Sequence, residues 1–444
     1  MTAGEAPRAL GLWRSTALVV GNMIGSGIFL LPASLALFGG ISILGWLFTT
    51  TGAMLLALVF ARLASTVPKA GGLYAYTRIG FGDMAGFLVA WGYWISIWSG
   101  NAAIATGFAG YMGFFVPQLS HNPLLAGLTA AGAIWILTWV NSAGVRTAGI
   151  VQVVTTVLKL LPLIAVATLG LVFFNRANLT PFNMSGQSAL AAITATAALT
   201  LWAFVGLESA TIPADDVVDP RRTIPRATIL GTLSAAVVYI LGTVAVMGVL
   251  SPASLAKSTA PYADAASLMW GGWASYAIAA GAAIACFGAL NGWILLQGQI
   301  PLAVARDGLF PSAFARLSKN GTPVAGIVIG SGLATILISM NYTKGLVEEF
   351  TFIILLATLT TLIPYVFCSA ADAIISLGRA QGTQTRRRLR LLLIPGLAFI
   401  YSLWAIGGAG RDTVYWGFLL LLAGIPVYVW ERQSHASMRR SADR

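Results

Sequence analysis

The sequence contains very few charged residues for its length. Only 9% of its 444 residues are Asp, Glu, Lys or Arg, whereas soluble domains carry about 25%. So few charges cannot cover a water-exposed surface, which excludes a soluble globular protein. Hydrophobic residues make up 57% of the chain and the mean hydropathy is +0.82. We therefore expect an integral membrane protein.

Cysteine and histidine are also scarce, with two residues of each. Cys286 and Cys368 lie in apolar runs, where small core residues are expected rather than a disulfide. The sequence offers no cysteine and histidine cluster with the spacing of a metal site. It also lacks paired acids or a serine–histidine pair at membrane depth. We therefore expect no cofactor, no metal and no enzyme activity.

Twelve apolar segments can be drawn along the chain. Each is close to or above the roughly 20 residues that cross a bilayer. They are 12–34, 43–65, 85–115, 124–142, 148–174, 190–213, 226–250, 272–301, 323–341, 348–372, 390–408 and 412–431. With a cytoplasmic N-terminus, the outer loops contain only Arg176, Lys257, Lys344 and Arg411 as basic residues. This bias predicts that both termini are cytoplasmic.

The same bias explains the net charge of +12 without nucleic acid as a partner. The basic run 386–390 lies on the inner side. It either contacts anionic lipid headgroups or acts as a topology signal.

We predict one membrane domain, 1–444, built from two halves. An odd number of helices in the first half inverts the second half relative to it. The expected parts are a tail (1–11), a first five-helix repeat (12–174), a second inverted repeat (190–372), helices 11 and 12 (390–431) and a tail (432–444). Helices 11 and 12 lie outside the repeat and are assigned to packing or dimerisation.

Segments 1 and 6 contain matching interruptions, 25–33 (GSGIFLLPA) and 206–214 (GLESATIPA). Glycine weakens a helix and proline removes a backbone donor, so both segments are expected to unwind. Unwound backbone at membrane depth lines a cavity or is buried in protein. Paired breaks at corresponding positions of two halves indicate the binding site of a secondary transporter.

The two breaks offer different backbone groups. Ser26, Gly27 and Ile28 present free N–H groups at a helix start, which suit a carboxylate. The carbonyl groups of 203–206 suit an ammonium group. Together they describe an α-amino acid as substrate.

Two ionisable residues are placed deep in the predicted membrane. Glu208 is the one acidic residue at mid-membrane, where it acts as a proton-dependent gate, as a counter-charge for a cation, or as a neutral hydrogen-bonded side chain. Lys159 lies about eleven residues into segment 5, roughly 17 Å along a helix. It either replaces a coupling cation, exchanges a proton, or extends to the interface.

Five motifs together resemble the amino acid–polyamine–organocation (APC) superfamily, and within it the arginine/agmatine antiporter group. They are 21–29 (GNMIGSGIF), 70–76 (AGGLYAY), 202–209 (WAFVGLES), 219–227 (DPRRTIPRA) and 307–311 (DGLFP). The resemblance implies an all-α fold of twelve transmembrane helices. These form a LeuT-like 5+5 inverted repeat with broken helices 1 and 6, plus helices 11 and 12. It also implies alternating access and a homodimer.

The resemblance assigns roles to individual residues. Ser26 and Gly27 bind the substrate carboxylate, Trp202 is a middle gate, and Asn101 and Trp293 meet the substrate side chain. The full substrate-binding set is Ser26, Gly27, Ile28, Ser96, Ile97, Asn101, Trp202, Val205, Trp293 and Ala357. The set for gating and proton sensing is Tyr93, Glu208, Tyr365 and Lys159.

Several positions depart from that antiporter group. Ser96, Ile97, Ile104 and Ala357 occupy positions around its guanidinium site and make a smaller, drier pocket end. Lys159 looks like the helix-5 lysine of proton-coupled or sodium-independent permeases.

We therefore predict a bacterial inner-membrane antiporter for cationic amino acids and their decarboxylated amines. It would be arginine/agmatine-like and pH-dependent. The alternative is a proton-coupled permease for neutral amino acids. Aromatic residues such as Trp202 and Trp293 would hold a cation by their ring faces, unless they serve only packing.

Overall fold

The computed structural model of the protein describes residues 10–69, 71–143, 145–212, 214, 217–341, 346–379 and 385–442. Ala70, Pro213 and Lys344, which contribute to the predictions above, lie outside these ranges. Within them the chain forms eighteen α-helices, several short 3-10 turns and no strand. The helices are α1 (Leu12–Met23), α2 (Ser26–Ala36), α3 (Ser42–Thr66), α4 (Leu73–Phe81), α5 (Asp83–Met112), α6 (Gln118–His121), α7 (Pro123–Ala143), α8 (Val145–Leu169), α9 (Ala189–Leu201), α10 (Pro220–Val249), α11 (Pro252–Leu255), α12 (Pro261–Trp270), α13 (Gly272–Arg306), α14 (Val324–Asn341), α15 (Leu346–Arg379), α16 (Thr385–Gly408), α17 (Arg411–Leu422) and α18 (Gly424–Ala442).

The predicted all-α membrane architecture is confirmed. Nine helical stretches within the described ranges are long and apolar enough to span a bilayer, and two shorter apolar helices accompany them. Each of the twelve predicted segments coincides with one helix or with a broken pair. The count of twelve spans stays a prediction, as do the boundaries of the two repeats.

Helix packing follows the pattern of two related halves. Helices of the first half pack against their counterparts in the second, as in the pairs α3–α10, α5–α13 and α7–α14. Other contacts recur with the roles of the two halves exchanged. Helix α5 packs on α15, and its counterpart α13 packs on α8, the counterpart of α15. In the same way α1 packs on α10, and the corresponding α9 packs on α3. This exchange of partners is the packing expected of a five-plus-five repeat.

Both predicted helix breaks are present. The first is short: α1 ends at Met23, Ile24 is extended, and α2 begins at Ser26. The second is longer, because α9 is followed by the 3-10 turns Trp202–Phe204 and Ser209–Thr211 with a turn between them. Gly206 in that turn has φ of 109°, a conformation that favours glycine.

The two breaks lie in the interior of the bundle. Every residue of α2 is buried, as are residues 199–212 of the second broken helix. The span formed by α17 and the start of α18 lies at the periphery, where only 22% of its residues are buried. The fold therefore places its irregular backbone where protein surrounds it.

Candidate substrate site

The first break presents the start of α2 as a set of backbone donors. Gly25 precedes the helix with φ of −137° and ψ of −141°, and no side chain caps it. The N–H groups of Ser26, Gly27 and Ile28 are in the first turn and have no partner inside the helix. The Ser26 hydroxyl is buried and has no hydrogen-bond partner in the described part of the chain. This end of α2 also carries the positive pole of the helix dipole, so it suits an anion.

A small cavity lies beside this helix start. Its open space is about 240 Å³ when the space at its mouth is included. Its lining is Asn22, Met23, Gly25, Ser26, Gly27, Ile104, Trp202, Val205 and Trp293. Ser26, Gly27, Trp202, Val205 and Trp293 belong to the predicted substrate-binding set, so the structure brings half of that set together.

Besides Ile104, which was named only among the departures from the antiporter group, three lining residues were not in the predicted set: Asn22, Met23 and Gly25. They lie at the carboxyl end of α1 and in the break itself, within the motif 21–29. The signal was present, because a break exposes groups on both of its sides. The prediction used only the N–H donors of α2 and therefore left out the residues at the end of α1.

The Trp202 ring lies across the space between helices α2 and α5. A Cβ added at Gly27 would be 3.1 Å from the ring atom Cδ1, and one added at Gly100 would be 2.9 Å from Cη2. These two glycines therefore make room for the ring at its opposite ends. The arrangement fits the predicted gate role of Trp202, because the ring covers one side of the cavity.

Trp293 and Asn22 link the two breaks. The Trp293 indole Nε1 donates to the Asn22 carbonyl at 3.2 Å, and a Cβ at Gly206 would lie 3.1 Å from the Trp293 ring. The Asn22 side-chain Nδ2 donates to the Ser209 hydroxyl at 3.0 Å. These contacts hold the two unwound segments in register around the cavity.

The rest of the predicted substrate-binding set lies outside the cavity lining. Asn101 donates through Nδ2 to Gln297 Oε1 at 2.8 Å, and its Oδ1 has no partner among the described residues. Ser96 hydrogen-bonds to Thr361 and so links α5 to α15. Ile28, Ile97 and Ala357 are buried apolar residues.

Glu208 is completely buried and accepts three hydrogen bonds. Tyr93 Oη donates to Oε1 at 2.5 Å, Tyr365 Oη donates to Oε2 at 2.7 Å, and the Gly206 N–H donates to Oε2 at 3.2 Å. The carboxylate thus joins α5, α15 and the second break, as its predicted grouping with Tyr93 and Tyr365 requires. No three His, Cys, Asp or Glu side chains group as metal ligands would in the searched part of the structure.

Lys159 is completely buried against the first break. Its Nζ donates to the carbonyl of Gly21 at 2.5 Å and to that of Ile24 at 2.8 Å. The break frees these carbonyls at the negative end of α1, where a cation is favourable. Lys159 therefore stabilises the interrupted helix, and it does not extend to the interface.

A second polar cluster lies where α4, the start of α5 and the end of α13 meet. Arg78 pairs with Asp307 at 2.6 Å and with Asp83 at 2.8 Å, and Tyr74 Oη donates to Asp307 at 2.8 Å. Burial raises the pKa of Tyr74, and the neighbouring Asp307 carboxylate raises it further. The sequence showed Tyr74 and Asp307 only as members of two motifs, and their pairing depends on the tertiary fold.

Paired helix breaks around a buried cavity, with a carboxylate and an ammonium nearby, define an integral membrane carrier. Comparison with known proteins agrees: residues 10–428 match the amino acid permease family. The chain belongs to this family, within the APC superfamily. It is a transporter rather than an enzyme and a multi-pass inner-membrane protein.

The chain is similar to bacterial transporters over nearly its whole length. It is 35% identical over 450 residues to the cadaverine/lysine antiporter of Escherichia coli (strain K12), covering 99% of both chains. It is 32% identical over 420 residues to the putrescine transporter PotE of Haemophilus influenzae, covering 94% of this chain and 96% of the relative. The corresponding protein of Escherichia coli (strain K12) is 32% identical over 424 residues, 94% of this chain and 95% of the relative.

Proposed function

We propose that this protein exchanges a cationic amino acid for its decarboxylated amine across the inner membrane by alternating access. The observation that carries this proposal is the cavity between the two breaks, where the donors of α2 face the rings of Trp202 and Trp293. Relatives named for cadaverine with lysine and for putrescine support amines as one side of the exchange. The arginine/agmatine pair belongs to the same chemical class.

The two ends of the cavity suit the two ends of such a substrate. The N–H groups of Ser26, Gly27 and Ile28 receive the α-carboxylate. Trp202 and Trp293 offer ring faces to a cationic side chain, an attraction of about 0.5–2 kcal/mol. A decarboxylated amine lacks the carboxylate, so it depends on the cationic contacts. One site therefore accepts both partners of the exchange with different contacts.

Substrate movement in this scheme depends on the ring of Trp202. In the observed arrangement the ring lies between Gly27 and Gly100 and covers the cavity. Rotation of the ring would open a path past Gly100. We assign pH dependence to Glu208, because its protonation would disturb the hydrogen bonds from Tyr93 and Tyr365 that join α5 and α15 to the second break.

The test is exchange in proteoliposomes made with the purified full-length protein. Vesicles are preloaded with cadaverine, putrescine, agmatine or nothing, and the uptake of labelled lysine, ornithine and arginine is measured. We expect fast uptake only into vesicles that contain an amine, and a matched amino acid and amine pair identifies the substrate. Equal uptake into empty vesicles would contradict exchange.

A proton-coupled permease for neutral amino acids is the second candidate. Buried Lys159 and the apolar residues Ile97, Ile104 and Ala357 favour it. It predicts accumulation of a neutral amino acid in empty vesicles under an imposed pH gradient. The antiporter predicts no such accumulation.

We also propose that both termini face the cytoplasm. Labelling of single cysteines introduced into the tails, from either side of intact vesicles, tests the orientation.

The exposed apolar side chains of α16 and α17, such as Leu393, Ile400 and Tyr415, would contact lipid or a second copy in a homodimer.

A further inference from the structure

A chain of hydrogen bonds crosses the bundle next to the cavity, and its centre is Gln297. This residue is completely buried on α13. It lies one helical turn beyond Trp293, and Asn101 lies about one turn before Ile104 on α5. The pair Asn101–Gln297 therefore lies about 5 Å along the helix axes from two residues that line the cavity. The proposed function gives Gln297 no role.

The orientation of the Gln297 amide is set by a backbone carbonyl. Its Nε2 donates to the Ile327 carbonyl at 2.7 Å and to the Ser331 hydroxyl at 3.1 Å. A carbonyl can only accept, so the amide atom that faces Ile327 must be the nitrogen. Both N–H groups of Gln297 are then used, and Oε1 must face Asn101.

The far end of the chain fixes the same direction. Thr138 donates its one hydroxyl proton to the Ile134 carbonyl at 2.8 Å. The Ser331 hydroxyl, 2.6 Å from that of Thr138, must therefore be the donor between them and accept from Gln297. The bonds run in one direction from Asn101 through Gln297 and Ser331 to Thr138.

The fold makes room for this arrangement. A Cβ added at Gly330 would lie 2.7 Å from Gln297 Nε2, so only glycine leaves space for the amide there. The Trp94 indole also donates to the Gln297 backbone carbonyl at 3.1 Å. These contacts hold the side chain of Gln297 in one place and one orientation.

The fixed orientation of Gln297 also determines the orientation of the Asn101 amide. Because Gln297 Oε1 can only accept, Asn101 must donate to it through Nδ2. Its Oδ1 then has no partner in the described part of the structure, and Asn101 as a whole is 1% exposed. A buried, unpaired carbonyl oxygen accepts an N–H donor and repels another acceptor.

We propose that Gln297 is a positioning residue that makes the site selective for a cationic substrate end, by fixing Asn101 with its oxygen open. This inference rests on the proposed function. The incoming group is an ammonium or guanidinium N–H of the substrate side chain. Gln297 does not touch the substrate; it holds the Asn101 amide so that Nδ2 is used and Oδ1 stays unpaired.

The test compares lysine with norleucine, which has the same carbon chain without the distal ammonium. Each compound competes with labelled lysine during exchange in proteoliposomes. In Gln297→Met, which keeps volume but loses the amide, the preference for lysine over norleucine should fall about tenfold, as for a lost charge-assisted hydrogen bond. The control Ser99→Ala removes a buried hydroxyl of α5 that bonds only to carbonyls of its own helix, and its preference should stay within about twofold of wild type.

A double variant separates positioning from general damage. Gln297→Met should add no further loss of preference to Asn101→Ala, because it acts through that residue. Unchanged preference in Gln297→Met, or a further loss in the double variant, would overturn the inference. Should Gln297→Met fail to fold, Asn101→Ala decides: lost preference supports an open acceptor and retained preference overturns it. Wild-type protein that exchanges lysine without preferring it to norleucine overturns only this inference, whereas no exchange of any cationic amino acid overturns the proposed function as well.

Discussion

Replacing Glu208 by glutamine should remove the pH dependence of exchange. Glutamine has nearly the shape of a protonated glutamate, and it cannot ionise. The variant therefore holds the site in the neutral state at every pH. We expect its exchange rate to be flat with pH and to match the rate of wild-type protein at its acid limit.

The size of the effect follows from the two tyrosine contacts. Tyr93 and Tyr365 donate to the carboxylate at 2.5 Å and 2.7 Å. Hydrogen bonds to a charged group contribute about 1.5–3 kcal/mol, against about 0.5–1.5 kcal/mol for neutral pairs. Loss of the charge thus weakens each contact by about 1 kcal/mol. Two contacts give about 2 kcal/mol, or about 30-fold in a conformational equilibrium.

The assay is labelled-lysine exchange between pH 5 and pH 8 with equal pH on both sides of the vesicle. Glu348→Gln serves as the control, because Glu348 is an exposed carboxylate near the start of α15. It should keep the wild-type profile. Tyr365→Phe removes one of the two donors and with it a whole bond of about 1.5–3 kcal/mol. It should therefore shift the neutral-pH rate by about as much as the loss of the charge does, and keep the pH dependence.

Two results would refute this reasoning. A Glu208→Gln profile with the wild-type slope would place the proton-sensing group elsewhere, with Lys159 as the next candidate. Loss of lysine affinity at all pH values would instead make Glu208 a counter-charge for the substrate.

Three further predictions concern other parts of the molecule. Lys159→Met leaves two buried carbonyls without their donor, so the thermal unfolding midpoint in detergent should fall, by the equivalent of about 2–5 kcal/mol; an unchanged midpoint would contradict its structural role. Gly100→Ala places a methyl group 2.9 Å from the ring of Trp202, so exchange should slow at saturating substrate while Gly332→Ala, which has open space, should not. Burial raises the pKa of Asp264, so the folded state binds its proton more tightly than the unfolded state. Stability should fall as pH rises from about 4 through that raised pKa, and Asp264→Asn should lose this fall in thermal unfolding measured against pH.

Much of the fold follows from hydropathy and from two interruptions. Long apolar runs can only be helices in a bilayer, since every backbone group must be satisfied inside the segment. Glycine and proline placed the breaks at Gly25 and Gly206 correctly. The grouping of Glu208 with Tyr93 and Tyr365 came from the family resemblance, and the structure shows the hydrogen bonds that form it.

The remaining features depend on contacts between distant residues. No sequence pattern predicts the pairing of Asn101 with Gln297, because each is an ordinary polar residue in an apolar helix. Likewise the sequence does not predict the hydrogen bond between Ser96 and Thr361, which lies on a helix far along the chain; the substrate role of Ser96 stays a prediction. Helical spacing tells which residues share a face, but not which other helix that face meets.

Charge movement during exchange tests the central claim most directly. Lysine carries one net positive charge and cadaverine two, so a one-for-one exchange moves one net charge in each cycle. A membrane potential of 100 mV should therefore change the equilibrium distribution by about 2.3 kcal/mol, or about 50-fold. We predict this dependence in vesicles preloaded with cadaverine and clamped at defined potentials. Exchange that ignores the potential, or lysine uptake that needs no internal amine, would contradict an antiporter of cationic amino acids and amines.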